Sequence, residues 1–593
     1  MISRTHRRAA AAIALGLGVL AAAGRADAQV TRLEITAREP MPATPGVAIP
    51  YELIRGRVHG DVDPKDRHNA IIQDVALAPR NARGRVEYVA TFALAAPIDL
   101  TKASGVLVYS VVNRGNGAAT PSPDGHVMLV SGWQGDLEAA PALQTIEVPV
   151  ATRADGSPIT GPVLARFVNV AAGTTTVPLR LGSIGAGVPA YPPASLDQAN
   201  ASLISAASET SRGVKGGVVA IPRADWAFAD CRTTPFPGTP DATRVCLKGG
   251  FDPARLYELA YTAKDPKVLG LGYAATRDIV AFFRHAGADA AGTANPIAGR
   301  ITHAIAIGDS QSGNFIRAFV HLGFNEDLAG GRVWDGVFPR IAARQTPMNV
   351  RFAVPGGAAG LFEPGSEPAI WWGRYTDTAR GHTKATSLLD RCTATKTCPK
   401  VIEAFGSAEF WGLRMSPDLI GTDAKADIPL PPDVRRYFYP GTTHGGGRGG
   451  FTLAAPAPPA GCSLPANPNP QADQTRALTA ALVEWVTKGT PPPPSRYPLL
   501  AKGELVLPTR QATHFPEIPG LTFVDDLANP VLDYGFGAAF VADDLSGELG
   551  AMPPTVRRAL PVRFHPRYVP SGAWCSGDGT PAVSLPSAFT TGT

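Results

Sequence analysis

The sequence predicts an α/β fold with a mostly parallel central sheet, and three observations predict it. Six segments are apolar runs: Val106-Leu-Val-Tyr-Ser-Val-Val, His126-Val-Met-Leu-Val-Ser, Ala304-Ile-Ala-Ile, Trp334-Asp-Gly-Val-Phe, Val401-Ile-Glu-Ala-Phe and Val434-Arg-Arg-Tyr-Phe-Tyr. Strands of a parallel sheet are covered on both faces, so they lose the in–out alternation of a half-exposed strand. Helical periodicity falls between or after these runs, at Leu271 to His285 and at Ala472 to Lys488, the latter stopping at Gly489 before four prolines. The third run also passes through Gly308-Asp309-Ser310-Gln311-Ser312-Gly313 into the helix-like stretch Asn314 to Val320.

Taken in order, the chain begins with a basic start, Met1 to Arg8. An apolar stretch from Ala9 to Ala23 and an Ala26-Asp27-Ala28 site follow. This is the pattern of a signal peptide over 1–28, with an apolar stretch too short to anchor in a membrane. Residues 29–139 carry alternating strands, such as Leu33-Glu-Ile-Thr-Ala and Val86-Glu-Tyr-Val-Ala-Thr-Phe, and then the first part of the core. Residues 140–250 hold three further strand-like stretches and read as a β-rich insertion that caps a pocket. Residues 251–492 form the rest of the core. Residues 493–593 form a Pro-rich, irregular C-terminal tail.

Strand, sharp turn with a serine at its tip, then helix is the nucleophile elbow of an α/β-hydrolase. The turn strains the serine backbone and admits only small residues two positions to either side. Ser310 has Gly308 and Ser312 there, whereas Ser312 has Ser310 and Asn314. Ser310 is therefore the expected nucleophile. A serine hydroxyl needs a base, and the base needs an acid, in the chain order Ser, acid, His. Among His321, His382, His444, His514 and His565, only His444 follows the last apolar run in a Gly-rich loop. The expected acid is Glu409, just past the Val401–Phe405 run. Asp423, Asp427 and Asp433 are rivals, and Glu403 reads as structural.

An oxyanion requires two N–H donors. Gln311 is expected to supply one. The turn Asn113-Arg114-Gly115 should supply the other, without the sequence saying which residue. Trp133 and Trp411 are weak candidates for the pocket wall, and Trp133 reads more readily as a core side chain.

Net charge is +5 over 593 residues, with no basic run beyond the first residues, which argues against a nucleic-acid partner. Six cysteines suit an oxidising compartment, and three disulfides are expected: Cys231–Cys246, Cys392–Cys398 and, by elimination, Cys462–Cys575. Their spacing matches no zinc motif, so no metal and no cofactor is expected.

A set of segments carries a wider likeness. Gly-x-Ser-Gln-Ser-Gly, Phe324-Asn-Glu-Asp, Trp334-Asp-Gly, Val112-Asn-Arg-Gly, Gly132-Trp-Gln-Gly-Asp, Gly270-Leu-Gly-Tyr-Ala-Ala-Thr-Arg-Asp, Ser407-Ala-Glu-Phe-Trp and Gly441-Thr-Thr-His together resemble exported bacterial α/β-hydrolase domain-containing proteins, over roughly Val30 to Pro498. The resemblance implies a hydrolase fold with Ser310, Glu409 and His444 as triad, and no substrate. Asn314, where a basic residue is expected, and the tail depart from the pattern. The expected activity is cleavage of a small-molecule carboxylic ester by an exported enzyme without a membrane anchor. An amidase, lactonase or thioesterase with the same triad, and a non-catalytic binding protein on the same scaffold, are the alternatives.

Overall fold

The computed structural model describes residues 30–182, 187–355, 360–449, 457, 467–517, 523–525 and 528–561, and the backbone of 565–566, 574–575 and 581–582. The segment expected to be a signal peptide lies outside them. No helix among the described residues is long and apolar enough to cross a membrane.

The main sheet is mixed. Its strands are β1 (Val30–Pro40), β2 (Tyr51–Val62), β3 (Val86–Pro97), β4 (Val106–Ser110) and β5 (Val127–Ser131). Four further strands, β6 (Thr160–Phe167), β7 (Ala201–Ala206), β8 (Val219–Ile221) and β9 (Leu256–Lys264), belong to the insertion. The main sheet then resumes with β10 (His303–Asp309), β11 (Gly336–Arg340), β12 (Lys400–Gly406) and β13 (Val434–Tyr439). The order across it is β1-β2-β3-β5-β4-β10-β11-β12-β13, and Ile146–Glu147 pairs with β3. From β1 to β5 the neighbours run antiparallel, and from β5 through β13 they run parallel.

Burial on both faces explains the apolar runs. Ala304 and Ala306 of β10 face one core with α1 (Leu271–His285) and α2 (Gln311–His321). Ile305, between them, faces a second core with Leu482 and Trp485 of a long helix over Ala472–Lys488. Each fully buried aliphatic side chain is worth roughly 1.5–3 kcal/mol, so both layers stabilise the same strand. That helix lies so close to β11 that a Cβ on Gly336 would sit 2.8 Å from Val486 Cγ1.

The insertion has its own core. Its sheet runs β8-β7-β9-β6, all antiparallel, and a smaller sheet joins Thr176–Pro178, Arg244–Leu247 and Trp226–Ala227. Buried Phe167, Leu203, Trp226, Phe228, Tyr257 and Tyr261 fill the space between them. The β-rich region continues past residue 250, because β9 pairs with β6 from Tyr257 against Phe167 to Lys264 against Thr160. Cys231–Cys246 and Cys392–Cys398 are bonded, with Cα atoms 5.7 and 4.7 Å apart. The expected Cys462–Cys575 pair lies outside the described side chains.

Among the described residues, two apolar clusters join the tail to the core. Val531 and Leu560 join Phe405, Phe410 and Leu419, and Phe536, Leu545 and Leu549 join Leu269 and Val350.

Candidate active site

The strand–turn–helix of the elbow sets the centre of the site. Strand β10 ends at Asp309 and α2 begins at Gln311. Ser310 between them has φ 54° and ψ −117°. Such a conformation costs a non-glycine residue on the order of 1–3 kcal/mol and persists only where surrounding contacts impose it. Here they do. The Ser310 N–H donates to the Arg340 carbonyl at 2.9 Å, and the Ser310 carbonyl accepts from the Asn314 N–H at 2.8 Å. A Cβ on Gly308 would lie 2.7 Å from the Ser312 carbonyl group, and one on Gly313 would lie 2.8 Å from the Arg340 carbonyl oxygen. Ser312 fits the crowded turn because its hydroxyl closes it. Oγ accepts from the Asp309 N–H at 2.9 Å and donates to the Asp309 carbonyl at 2.7 Å.

The acid and the histidine follow the last two parallel strands, β12 and β13. After β13, the loop Gly441–Gly446 carries His444 toward the elbow, with Gly441, Gly445 and Gly446 at φ 68°, 90° and 72°. His444 Nε2 lies 2.8 Å from Ser310 Oγ, and Nδ1 lies 2.7 Å from Glu409 Oε1. Glu409 sits on the short helix Ser407–Trp411 and is fully buried, and its second oxygen accepts from the Gly406 N–H. The two loops touch so closely that a Cβ on Gly406 would lie 2.1 Å from Thr442 Oγ1. With Nδ1–H donated to the carboxylate, Nε2 is left as an acceptor facing the serine hydroxyl. The rival carboxylates are elsewhere: Asp423 accepts from the Tyr375 hydroxyl, Asp427 from the Leu500 and Ala501 N–H groups, and Asp433 pairs with Lys400. His321 is buried against the Asp543 carbonyl at 2.6 Å, and burial lowers its pKa to about 4.

The oxyanion turn needs one correction. The Asn113 N–H donates to the Asn116 carbonyl at 2.9 Å and the Asn116 N–H donates back at 2.9 Å, closing a tight turn with Arg114 at φ 49° and Gly115 at φ 77°. Two successive positive φ values make it a type I′ turn. The Asn113 N–H is therefore committed within the turn, and Arg114 and Gly115 remain as candidate donors there. Asn113 instead ties the turn to the elbow through Nδ2, which donates to the Asp309 carbonyl at 3.1 Å. Gln311 heads α2, where the first N–H groups of a helix lack intrahelical acceptors. Of the two readings of Trp133, core side chain and pocket wall, the structure shows the first. It is fully buried, its indole N–H donates to the Val112 carbonyl at 2.8 Å, and its ring packs on Phe315. It is a core residue because a large ring at the end of a central strand fills the space beside α2. Trp411 is buried beside Phe523.

The structure adds side chains that spacing alone did not single out. The Gln311 side-chain amide donates to the Pro355 carbonyl at 2.6 Å and to Gln134 Oε1 at 3.1 Å, and Gln134 in turn donates to Asp136 at 2.7 Å. Glu363 accepts from the Gly360 N–H at 3.0 Å and lies 3.6 Å from Arg344. Burial pushes the Glu363 carboxyl up to about 7, against the pull of Arg344 and of the Gly360 N–H. Gln134 belongs to the Gly132–Asp136 segment, but its pairing with a residue 177 positions away carries no local signal.

A family described as an alpha/beta hydrolase domain matches residues 209–537, more than half of the 593-residue chain. The match takes in the elbow, the Glu409 turn, the His444 loop and part of the tail. No curated protein matches the chain.

Proposed function

The chain belongs to the alpha/beta hydrolase domain family, and from that premise we propose that it is an exported serine hydrolase that cleaves a carboxylic ester through an acyl-enzyme. The observation that carries the reading is the line Ser310 Oγ, His444 Nε2, His444 Nδ1, Glu409 Oε1, with gaps of 2.8 and 2.7 Å at its two ends.

In this reading Ser310 Oγ attacks the ester carbonyl carbon while its proton passes to His444 Nε2. Glu409 holds the ring through Nδ1–H and stabilises the imidazolium that forms. The carbonyl oxygen becomes an oxyanion facing the Gln311 N–H and an N–H of the Arg114–Gly115 turn. As the carbon–oxygen bond to the alcohol breaks, the Nε2 proton goes to the leaving oxygen. A water then gives a proton to Nε2 and its oxygen attacks the acyl carbon. Ser310 Oγ leaves with the proton returned from Nε2, and the acid is released. Export is supported by the basic and apolar start of the sequence, and the two disulfides are compatible with it.

Hydrolysis of matched esters, amides, lactones and thioesters tests the substrate class. The expected result is the highest kcat/KM on the esters. A clear preference for any of the other three moves the assignment to that class, and hydrolysis of none of them rejects a catalytic role.

A further inference from the structure

Three segments distant in sequence line a partly open cavity of about 70 Å³. Leu164 and Leu181 come from the insertion, Phe352 and Val354 from the segment after β11, and Leu549 and Met552 from the tail. Glu363 also lines it. Apolar walls with a few convergent polar groups are the make-up of small-molecule sites.

Two connections tie the cavity to the elbow. Val354 precedes Pro355, whose carbonyl accepts the Gln311 side-chain amide at 2.6 Å. Glu363 interacts electrostatically with Arg114 of the oxyanion turn, and Arg114 donates to Asn113 Oδ1 at 2.9 Å. Ser310 is not among the lining residues. The cavity is thus a side chamber next to the residues that flank the elbow. Its walls are also firmly held. The Tyr191 hydroxyl of the insertion donates to the Ala353 carbonyl at 2.8 Å, Phe352 is buried in the insertion core, and Arg351 pairs with Glu548 of the tail at 2.7 Å.

We infer that this chamber is a subsite for the bulky apolar group of the ester, aliphatic or aromatic, with the Glu363 carboxyl placed to meet a hydroxyl on that group. The inference rests on the ester-hydrolase reading above. It makes the insertion and the tail joint determinants of specificity, since each contributes a wall.

The test compares kcat/KM on methyl acetate with two series: methyl esters of octanoic and 4-hydroxyphenylpropanoic acids, and acetates of octanol and benzyl alcohol. Leu164→Trp fills the chamber from the insertion, Met552→Trp fills it from the half-exposed tail, and Met552→Ala widens it. Thermal transitions report folding. The expected result is that the ratio of bulky to small substrate falls by roughly tenfold or more in each Trp variant, in whichever series places its bulk in the chamber, and rises in Met552→Ala. A wild type that hydrolyses these esters, with variants that keep its ratio in both series, overturns the subsite alone. A wild type that hydrolyses none of them overturns the ester-hydrolase reading and the subsite with it.

Discussion

Ser310→Ala is expected to lower kcat/KM by about 10⁴-fold or more, while Ser312→Ala keeps at least about a tenth of the wild-type value. The two serines are separated by one residue and share one turn, yet their hydroxyls are committed differently. Ser310 Oγ faces His444 Nε2 at 2.8 Å. Ser312 Oγ is held at both ends by the backbone of Asp309, as acceptor at 2.9 Å and donor at 2.7 Å. Removing the first hydroxyl removes the atom that would bond to substrate. Removing the second loses a turn bond worth on the order of 1 kcal/mol and leaves the attacking atom in place. Steady-state kinetics on the best ester substrate reads both effects. Equal losses in the two variants would transfer the nucleophile assignment to Ser312.

The elbow was legible because steric rules act within six residues. The parallel strands β4, β5 and β10 to β13 were legible for a related reason: helices on both faces leave a local mark, the unbroken apolar run. The same logic exposed α1 and the Ala472–Lys488 helix, whose buried stripes repeat at helical spacing. What escaped depends on pairing across long stretches of chain. Strand β9 joins the insertion because Tyr257 pairs with Phe167, about 90 residues earlier, so a boundary drawn near residue 250 had no local cue to continue. The Asn113 N–H was undecided in the sequence because its direction follows from positive φ at Arg114 and Gly115, and only glycine advertises that freedom. The chamber shared by the insertion and the tail has no signature in either segment alone.

Glu403→Gln is expected to lower the free energy of unfolding by about 3–5 kcal/mol. Glu403, in the middle of β12, was read from sequence as structural, and it belongs to a fully buried quartet with Arg317 of α2, Asp418 and Arg436 of β13. Arg317 bonds to Glu403 and lies 3.0 Å from Asp418, and Arg436 reaches Glu403 at 2.7 Å and Asp418 at 2.8 Å. The Trp372 indole N–H adds a bond to Glu403 at 2.9 Å. Burial opposes ionisation of Glu403, but Arg436 and Arg317 outweigh it and hold the carboxyl below its usual range. The glutamine keeps the shape and removes one of two negative charges, leaving two guanidiniums without water to share Asp418. An uncompensated buried charge is the costly state, far more than loss of an exposed pair. Because Arg317 lies on the helix that begins at the elbow, the quartet also fastens that helix to the strands carrying Glu409 and His444. The urea midpoint of unfolding measures the effect, and a loss under about 1 kcal/mol would show that the quartet adds little to the fold.

The central claim is that Ser310 is an activated nucleophile, and mass-spectrometric mapping of a fluorophosphonate adduct tests it most directly. The account predicts one adduct, on the peptide containing Ser310 and on that residue, lost in Ser310→Ala and strongly slowed in His444→Ala. An adduct on Ser312 or on any other residue, or no adduct on folded protein, would contradict it.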